Sequence, residues 1–518
     1  MSFVRSAAVI GGYTMISRVF GFVRDILVAR YLGAGMLDDV FQVAFKLPNF
    51  FRNLFAEGAM SSAFVPIFSG MEAADGRTAA VNFASKVFTI LLVILLIFTV
   101  TMQIAMPLVM FILAPGFEKD PEKYRLVITL TRITMPYLLC MSLVSLFGGM
   151  LNSIGKFWAM AASPILLNIV MISAIFLLPP YLPSIAHALS WGVFLAGVAQ
   201  VIAITITLKR SGLMVHFTMP KGDPMVRKML KNMLPAIIGS GIVQINLLVD
   251  TNIATLLPSG SVSLFYFANQ LNQLPLAIIG TAMGTAMMPL LSRQMKMQEF
   301  EAAHHTQNRA LEFALLISLP CAAALFILAE PFISVLFQHG RFTAYDAHES
   351  AYVLRALAIG LPAFVMVKVF TPCFFAIQDT KTPVKVAVSC MILNIIFNIS
   401  LMLAFHHVAG IGLATALSAW INVMLLSTLL HKRGLYSPDR LFKAHLPRIM
   451  LCVLLMGAAL WLGNYFLPPL GGHSFSITLF RLMIICTLSS LLYLVSGYFL
   501  RAFAKEDLKR FLPSKFRK

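Results

Sequence analysis

From Phe157 to Leu208 the chain carries no charged residue. An uncharged run of that length holds two membrane spans of about 20 residues each. Five more such runs follow this pattern: Val87–Phe117, Ile133–Gly155, Val386–His431, Ile449–Phe480 and Leu482–Leu500. In hydrocarbon a lone segment must satisfy its own backbone, which only a helix does. The expected fold is therefore an all-α polytopic membrane protein. Its mean hydropathy of +0.84 and 12% charged residues belong to the same class. No cleavable signal peptide is expected, because the first apolar segment already carries Arg18 and Arg24.

A net charge of +19 invites a nucleic-acid reading. Its placement excludes one. Basic residues gather in short connectors beside apolar runs, at Lys209–Lys231, Lys432–Arg448 and Arg501–Lys518. That is the pattern of cytoplasmic loops facing anionic headgroups. The six cysteines are scattered through apolar segments, with no metal-ligand spacing. No phosphate-binding loop and no nucleophile–base arrangement is present, so an enzyme is not expected, nor is a cofactor.

Splitting the runs at proline, glycine and charge clusters predicts about fourteen helices. Three of the expected spans are 37–69, 124–153 and 302–337. The basic loops then fall on one side, which places both termini in the cytoplasm. An internal repeat orders the helices further. Ala59–Ser69 and Ala282–Ser292 agree at five of eleven positions, at an offset of 223. Pro136 with Pro362, and Asn168 with Asn394, follow at an offset of 226. Two pseudo-symmetric six-helix lobes are expected, 1–209 and 223–432, with a C-terminal helix pair and basic tail over 433–518. Lobes of even span number share one orientation, with a substrate site between them.

The segment Ser17–Pro66 breaks the apolar pattern. It holds nine charges: Arg18, Arg24, Asp25, Arg30, Asp38, Asp39, Lys46, Arg52 and Glu57. Charges at membrane depth face a bundle interior or a watery path. On the second helix Asp39, Gln42, Lys46, Asn53 and Glu57 fall within about 60° of one another at 100° per residue. Pro48 interrupts this stripe. One reading is that these charges only pair internally and fasten two helices together. The other is that Arg18, Arg24 and Arg52 offer forked donors to an anion, with Asp25, Asp39 and Glu57 holding them when the site is empty.

The second half is nearly neutral. Asp250 is the only charge within 232–292, and Asn269, Gln270 and Gln273 stand where the first half has Phe45 to Asn49. Asp250, Asn394, Asn398 and Thr415 form a set of oxygen ligands suited to a hard monovalent cation. The alternative is an interhelical hydrogen-bond cluster.

The motifs SRVFGFVRD at Ser17 and DDVFQVAFKLPNFFRNLFAEGAMSSAFVP at Asp38 closely resemble the MurJ (MviN) family, lipid II flippases of the MOP exporter superfamily. APGF at Ala114, GTAMGTAMMPLLS at Gly280, LFQHGRFTAYD at Leu336 and DTKTPVK at Asp379 extend the resemblance over essentially the whole chain. The resemblance implies export of an undecaprenyl-pyrophosphate-linked disaccharide-peptide to the periplasmic leaflet of a bacterial inner membrane. It implies alternating access, driven by the membrane potential or by a sodium or other monovalent coupling ion. By motif position Arg18, Arg24, Asp39 and Arg52 correspond to the family's required charges. Lipid II and membrane lipids are the partners it implies, with contacts to cell-wall synthesis proteins. The sodium site it implies falls on Asp250, Asn394, Asn398 and Thr415. Asn269, Gln270 and Gln273 depart from the family, where many members carry an Asp-Arg pair and a following acid. A flippase for another lipid-linked oligosaccharide and a MATE-type cation or drug antiporter are the competing transport readings.

Overall fold

A computed structural model describes residues 3–54, 60–219, 222–466 and 475–502. Every regular element among them is helical. The chain divides into two compact units, Met1–Ser263 with His339–Phe342, and Leu264–Gln338 with Thr343–Lys518.

The first unit contains α1 (Phe3–Leu32), α2 (Met36–Phe51), α3 (Ser61–Ala74), α4 (Arg77–Leu113), α5 (Pro121–Thr134), α6 (Tyr137–Ser153), α7 (Trp158–Leu177), α8 (Ile185–Arg210) and α9 (Pro224–Thr255). Helix α10 (Ser261–Lys296) starts at its end. The second unit continues with α11 (Phe300–Ile327), α12 (Ala329–Phe337), α13 (Ala344–Ala376), α14 (Lys381–Phe405), α15 (Ala409–Lys432), α16 (Arg440–Phe466) and α17 (Phe475–Phe499). Among the described residues ten helices are long and apolar enough to cross a membrane, with α5 and α6 counted as one. The charged helices α1 and α2 are not among these ten.

Three rods expected as single helices are each interrupted, and proline is the cause at each break. The span 37–69 leaves regular helix after Phe51, one turn past Pro48. Proline has no N–H, so the carbonyl four residues earlier loses its partner. Here that carbonyl is Ala44 O, and the Thr134 hydroxyl takes it up at 2.7 Å. The span 124–153 divides into α5 and α6 at Pro136. The freed Arg132 carbonyl accepts from the Gln103 amide at 2.7 Å. Pro107 in turn frees the Gln103 carbonyl, which accepts from Arg132 Nε at 3.1 Å. The span 302–337 breaks at Leu328, just before Pro331. At the first two breaks neighbouring side chains thus re-satisfy the freed carbonyls.

Packing follows the rules of a lipid solvent. On α4 the exposed residues include Val93, Ile97, Ile104 and Leu108, while Ser85 and Thr99 are buried. Close helix approach rests on small residues. A Cβ added at Gly192 would lie 2.7 Å from the Ala174 methyl, joining α8 to α7. One at Gly360 would lie 2.8 Å from Ala416 Cα, joining α13 to α15. Van der Waals contact of this kind drives association where burial against lipid supplies no gain.

The end of α1 is fixed by two glycines with left-handed backbone. Gly33 has φ +72° and Gly340 has φ +62°. Arg341 N–H donates to the Arg30 carbonyl at 2.9 Å, and each glycine abuts backbone of the other segment. A side chain at either position would be strained and would clash.

Candidate functional site

Helix α1 carries Arg24 and Asp25 next to one another in sequence. The arginine folds back so that Nε and a terminal nitrogen donate to Asp25 Oδ1 at 3.1 and 2.8 Å. Its other arm donates to Asn168 Oδ1 of α7 at 3.1 Å. The Asn168 amide donates onward to the Ser17 carbonyl at 3.1 Å. Both charged side chains are largely buried, 11% and 4% exposed. Arg18, two turns before Asp25 on the same helical face, is exposed.

On α2 the polar stripe has a definite partner, α9 and the turn that follows it. Asp39 is 1% exposed. Its carboxylate accepts from Gly260 N–H at 2.7 Å, Ser263 N–H at 3.0 Å and the Ser263 hydroxyl at 2.8 Å. The two backbone N–H groups are orphan donors of the first turn of α10, and a carboxylate there complements the helix dipole. The Lys123 ammonium of α5 completes the shell at 2.9 Å. Seven residues along, Lys46 Nζ donates to the Thr251 hydroxyl of α9. Asp250 lies close enough for its charge to act on Lys46, and is itself 3% exposed. Seven residues further, the Asn53 amide donates to Gln244 Oε1 at 3.2 Å. Positions 39, 46 and 53, spaced by seven on α2, therefore meet partners at 260–263, 251 and 244, an antiparallel ladder. Gln42 bonds within α2, donating to Asp38 Oδ1 at 3.0 Å. Arg52 Nε donates to Asn49 Oδ1 at 3.2 Å in the widened turn after Pro48. Glu57 lies outside the described residues.

On α10, Asn269, Gln270 and Gln273 are half-buried. The Gln270 amide donates to the Tyr266 hydroxyl at 3.1 Å. On α14 and α15 the Asn398 amide donates to Asn394 Oδ1 at 2.9 Å. The Asn394 amide points at Thr415 Oγ1 and Ser418 Oγ, at 3.4 and 3.5 Å. The structure brings Asn394, Asn398 and Thr415 together with Ser418. Every one of these groups is neutral, and Asn394 turns N–H rather than oxygen toward the two hydroxyls. No group of three histidine, cysteine or acidic side chains suited to a metal occurs among the described residues.

Several partners are not legible in the sequence: Lys123, Asn168, Gln244, Thr251 and Ser263. By pattern Lys123 belongs to a polar loop, EKDPEK. Asn168 carries a signal, since it pairs with Asn394 in the repeat, but nothing ties it to Arg24. A second buried network has no sequence signal at all. Arg309 and Glu312 of α11 form an ion pair. Glu312 meets His445 of α16, and Arg309 reaches both oxygens of Asp439 at 3.0 Å.

The family model for the lipid II flippase MurJ matches residues 28–481. The chain belongs to the MurJ family. A protein of Rhizobium meliloti (strain 1021) described as a probable lipid II flippase MurJ is 39% identical over 468 residues, covering 89% of this chain and 86% of that protein. A solved structure of a lipid II flippase MurJ in an inward closed conformation has 26% identity and a TM-score of 0.79, covering 95% of this chain and 98% of that one. An inward-facing MATE multidrug transporter of the MOP superfamily superposes with a TM-score of 0.69 at 16% identity, covering 82% of this chain and 98% of that one. That last likeness concerns the fold alone. The MurJ match takes in the whole α2 ladder of Asp39, Lys46 and Asn53, together with Arg52, and begins past Arg18 and Arg24.

Proposed function

We propose that this multi-pass membrane protein moves lipid II from the cytoplasmic to the periplasmic leaflet of a bacterial inner membrane by alternating access. Family membership supports the substrate class. The observation that carries the mechanism is the ladder on α2. Asp39, Lys46 and Asn53 each hold a partner through one small set of tertiary contacts. Such contacts can be exchanged for substrate contacts at low net cost, since each is a swap of hydrogen bonds.

In this reading α1 and α2 supply the anion-binding wall. Arg18 is exposed already. Arg24 and Arg52 are parked on Asp25 and Asn49, and a pyrophosphate offers them stronger, bidentate acceptors. No covalent bond changes, so the protein is a transporter and not an enzyme. The end holding Asp39, Gly33 and Gly340 is the periplasmic gate, closed here. The positive-inside rule supports this orientation, with both termini cytoplasmic. The internal repeat of 1–209 and 223–432 supports alternating access by two related halves. A monovalent coupling cation would take neutral oxygens from Asn394, Asn398 and Thr415, with the Asn394 amide turned over to present Oδ1.

The test is leaflet accessibility of lipid II in cells depleted of this protein, with and without the membrane potential and with sodium replaced by potassium. Lipid II should accumulate on the cytoplasmic side on depletion. Unchanged accessibility would remove the substrate assignment.

A further inference from the structure

We propose that Lys123 is a positioning residue of the periplasmic gate, holding the gate closed by balancing the charge of Asp39. The proposal rests on the reading of the Asp39 end as a gate.

Lys123 is 6% exposed, deep for an ammonium. A buried lysine needs a counter-charge and filled donor positions. This one has both. Its Nζ lies 2.9 Å from Asp39 Oδ2 and 3.0 Å from Ser259 Oγ. It also sits 4.1 Å from the centroid of the Phe117 ring, a cation–π contact. The three partners come from α2, from the turn before α10, and from the tight turn at Pro115–Lys119. That last turn is the APGF motif, to which the ladder gives no role. Gly116 is pressed onto the Thr255 and Leu256 backbone, where a Cβ would not fit, and this seats Phe117 beside the ammonium. The backbone of Lys123 is held as well, because Asp120 caps α5 by accepting from Glu122 and Lys123 N–H at 3.1 and 3.2 Å.

The division of contacts shows what moves. Helix α5 is tied to α2 by the Thr134–Ala44 bond, so Lys123 and Asp39 stay together. The turn 259–263 meets them through hydrogen bonds from Ser259, Gly260 and Ser263. Opening separates that turn from the Asp39–Lys123 pair and lets water reach it. An ion pair is worth more when buried than when solvated. Removing Lys123 therefore penalises the closed gate more than the open one, and the equilibrium shifts toward open.

The experiment uses Thr251→Cys as reporter, in full-length protein in right-side-out membrane vesicles. A membrane-impermeant maleimide is added outside, and labelling is read against the same protein without the added cysteine. Lys123→Met should raise the labelling rate about tenfold, since the open fraction rises with loss of the buried pair. Lys123→Arg, which keeps the charge, should stay near the parent rate. Adding Asp39→Asn to Lys123→Met removes the uncompensated charge, so the two effects should not add. Labelling unchanged in Lys123→Met, or strict additivity with Asp39→Asn, would overturn the proposal. A general folding defect would raise labelling in Lys123→Arg too, and that also counts against it. The readout contains no lipid II, so the gate residue and the substrate assignment can fail separately.

Discussion

Asp39 on α2 and Glu312 on α11 are both buried carboxylates, 1% and 5% exposed. Their surroundings differ in kind. Asp39 is met by partners distant in sequence: Lys123 of α5 and the turn 260–263. Glu312 has Arg309 three residues away on its own helix, and His445 of α16. Arg309 is further pinned by Asp439, which accepts from Phe442 N–H at 2.6 Å and so caps the start of α16. Asn308 adds a bond to the Ser437 carbonyl at 2.8 Å. A charge neutralised first by a neighbour on its own helix, and interlocked with the cap of the next, anchors a helix. One neutralised through tertiary contacts can be released when those contacts part. The first arrangement suits docking of α16 to α11, the second a transport path.

The comparison breaks most easily at the exchangeable charges. Arg18→Ala, Arg24→Ala, Arg52→Ala and Asp39→Ala should each abolish complementation of a flippase-depleted strain while the protein still inserts. Full complementation by the three arginine variants would show that these residues only fasten helices. On the anchoring side, Glu312→Gln or His445→Ala should cost about 3–5 kcal/mol of stability, because one partner of a buried pair is left alone. A lowered Tm in detergent, with transport per folded molecule retained, is the expected result. If transport fell while Tm held, the α11–α16 network would belong with the exchangeable set.

A smaller effect is expected at Thr134→Val. It orphans the Ala44 carbonyl freed by Pro48, a loss of about 1–3 kcal/mol, visible as a modest drop in Tm. The smallest concerns Asp379, outside the spans at the head of α14. The Thr382 hydroxyl and then the Arg433 guanidinium hold its carboxyl well below the usual carboxylate range. Its contribution is therefore fully present above the unfolded value near 4 and is lost only as pH falls through the lower folded value. Mild acid, from pH 7 to about 5, should leave the Asp379–Arg433 contact intact. A difference between wild type and Asp379→Asn that disappears over that range would contradict this.

Much of the architecture is legible in the amino-acid sequence. Uncharged runs locate the helices, because hydrocarbon tolerates little else at that length. Pro48, Pro136 and Pro331 mark where rods break, although the apolar pattern alone carries three rods straight through them. The face of α2 is legible too, since 100° per residue places Asp39, Lys46 and Asn53 together. Their partners are not. Which residue on α9 meets Lys46, or that Lys123 rather than an arginine answers Asp39, depends on how two helices slide and rotate against each other. Nothing local encodes that. Arg24 shows the same limit. Helical geometry sets it about 120° from the Arg18–Asp25 face, yet its long side chain folds back onto Asp25.

What the sequence determined by itself was the solvent and the chemistry. Composition demanded a lipid-facing helical protein, and nine charges in two helices demanded a polar interior. Only the tertiary structure decided which of those charges are committed in this conformation. It set Asp39 at the head of α10, Lys46 on Thr251 and Arg24 on Asn168. The reason is physical: helix periodicity is a property of one segment, whereas satisfying a buried charge is a property of everything packed around it.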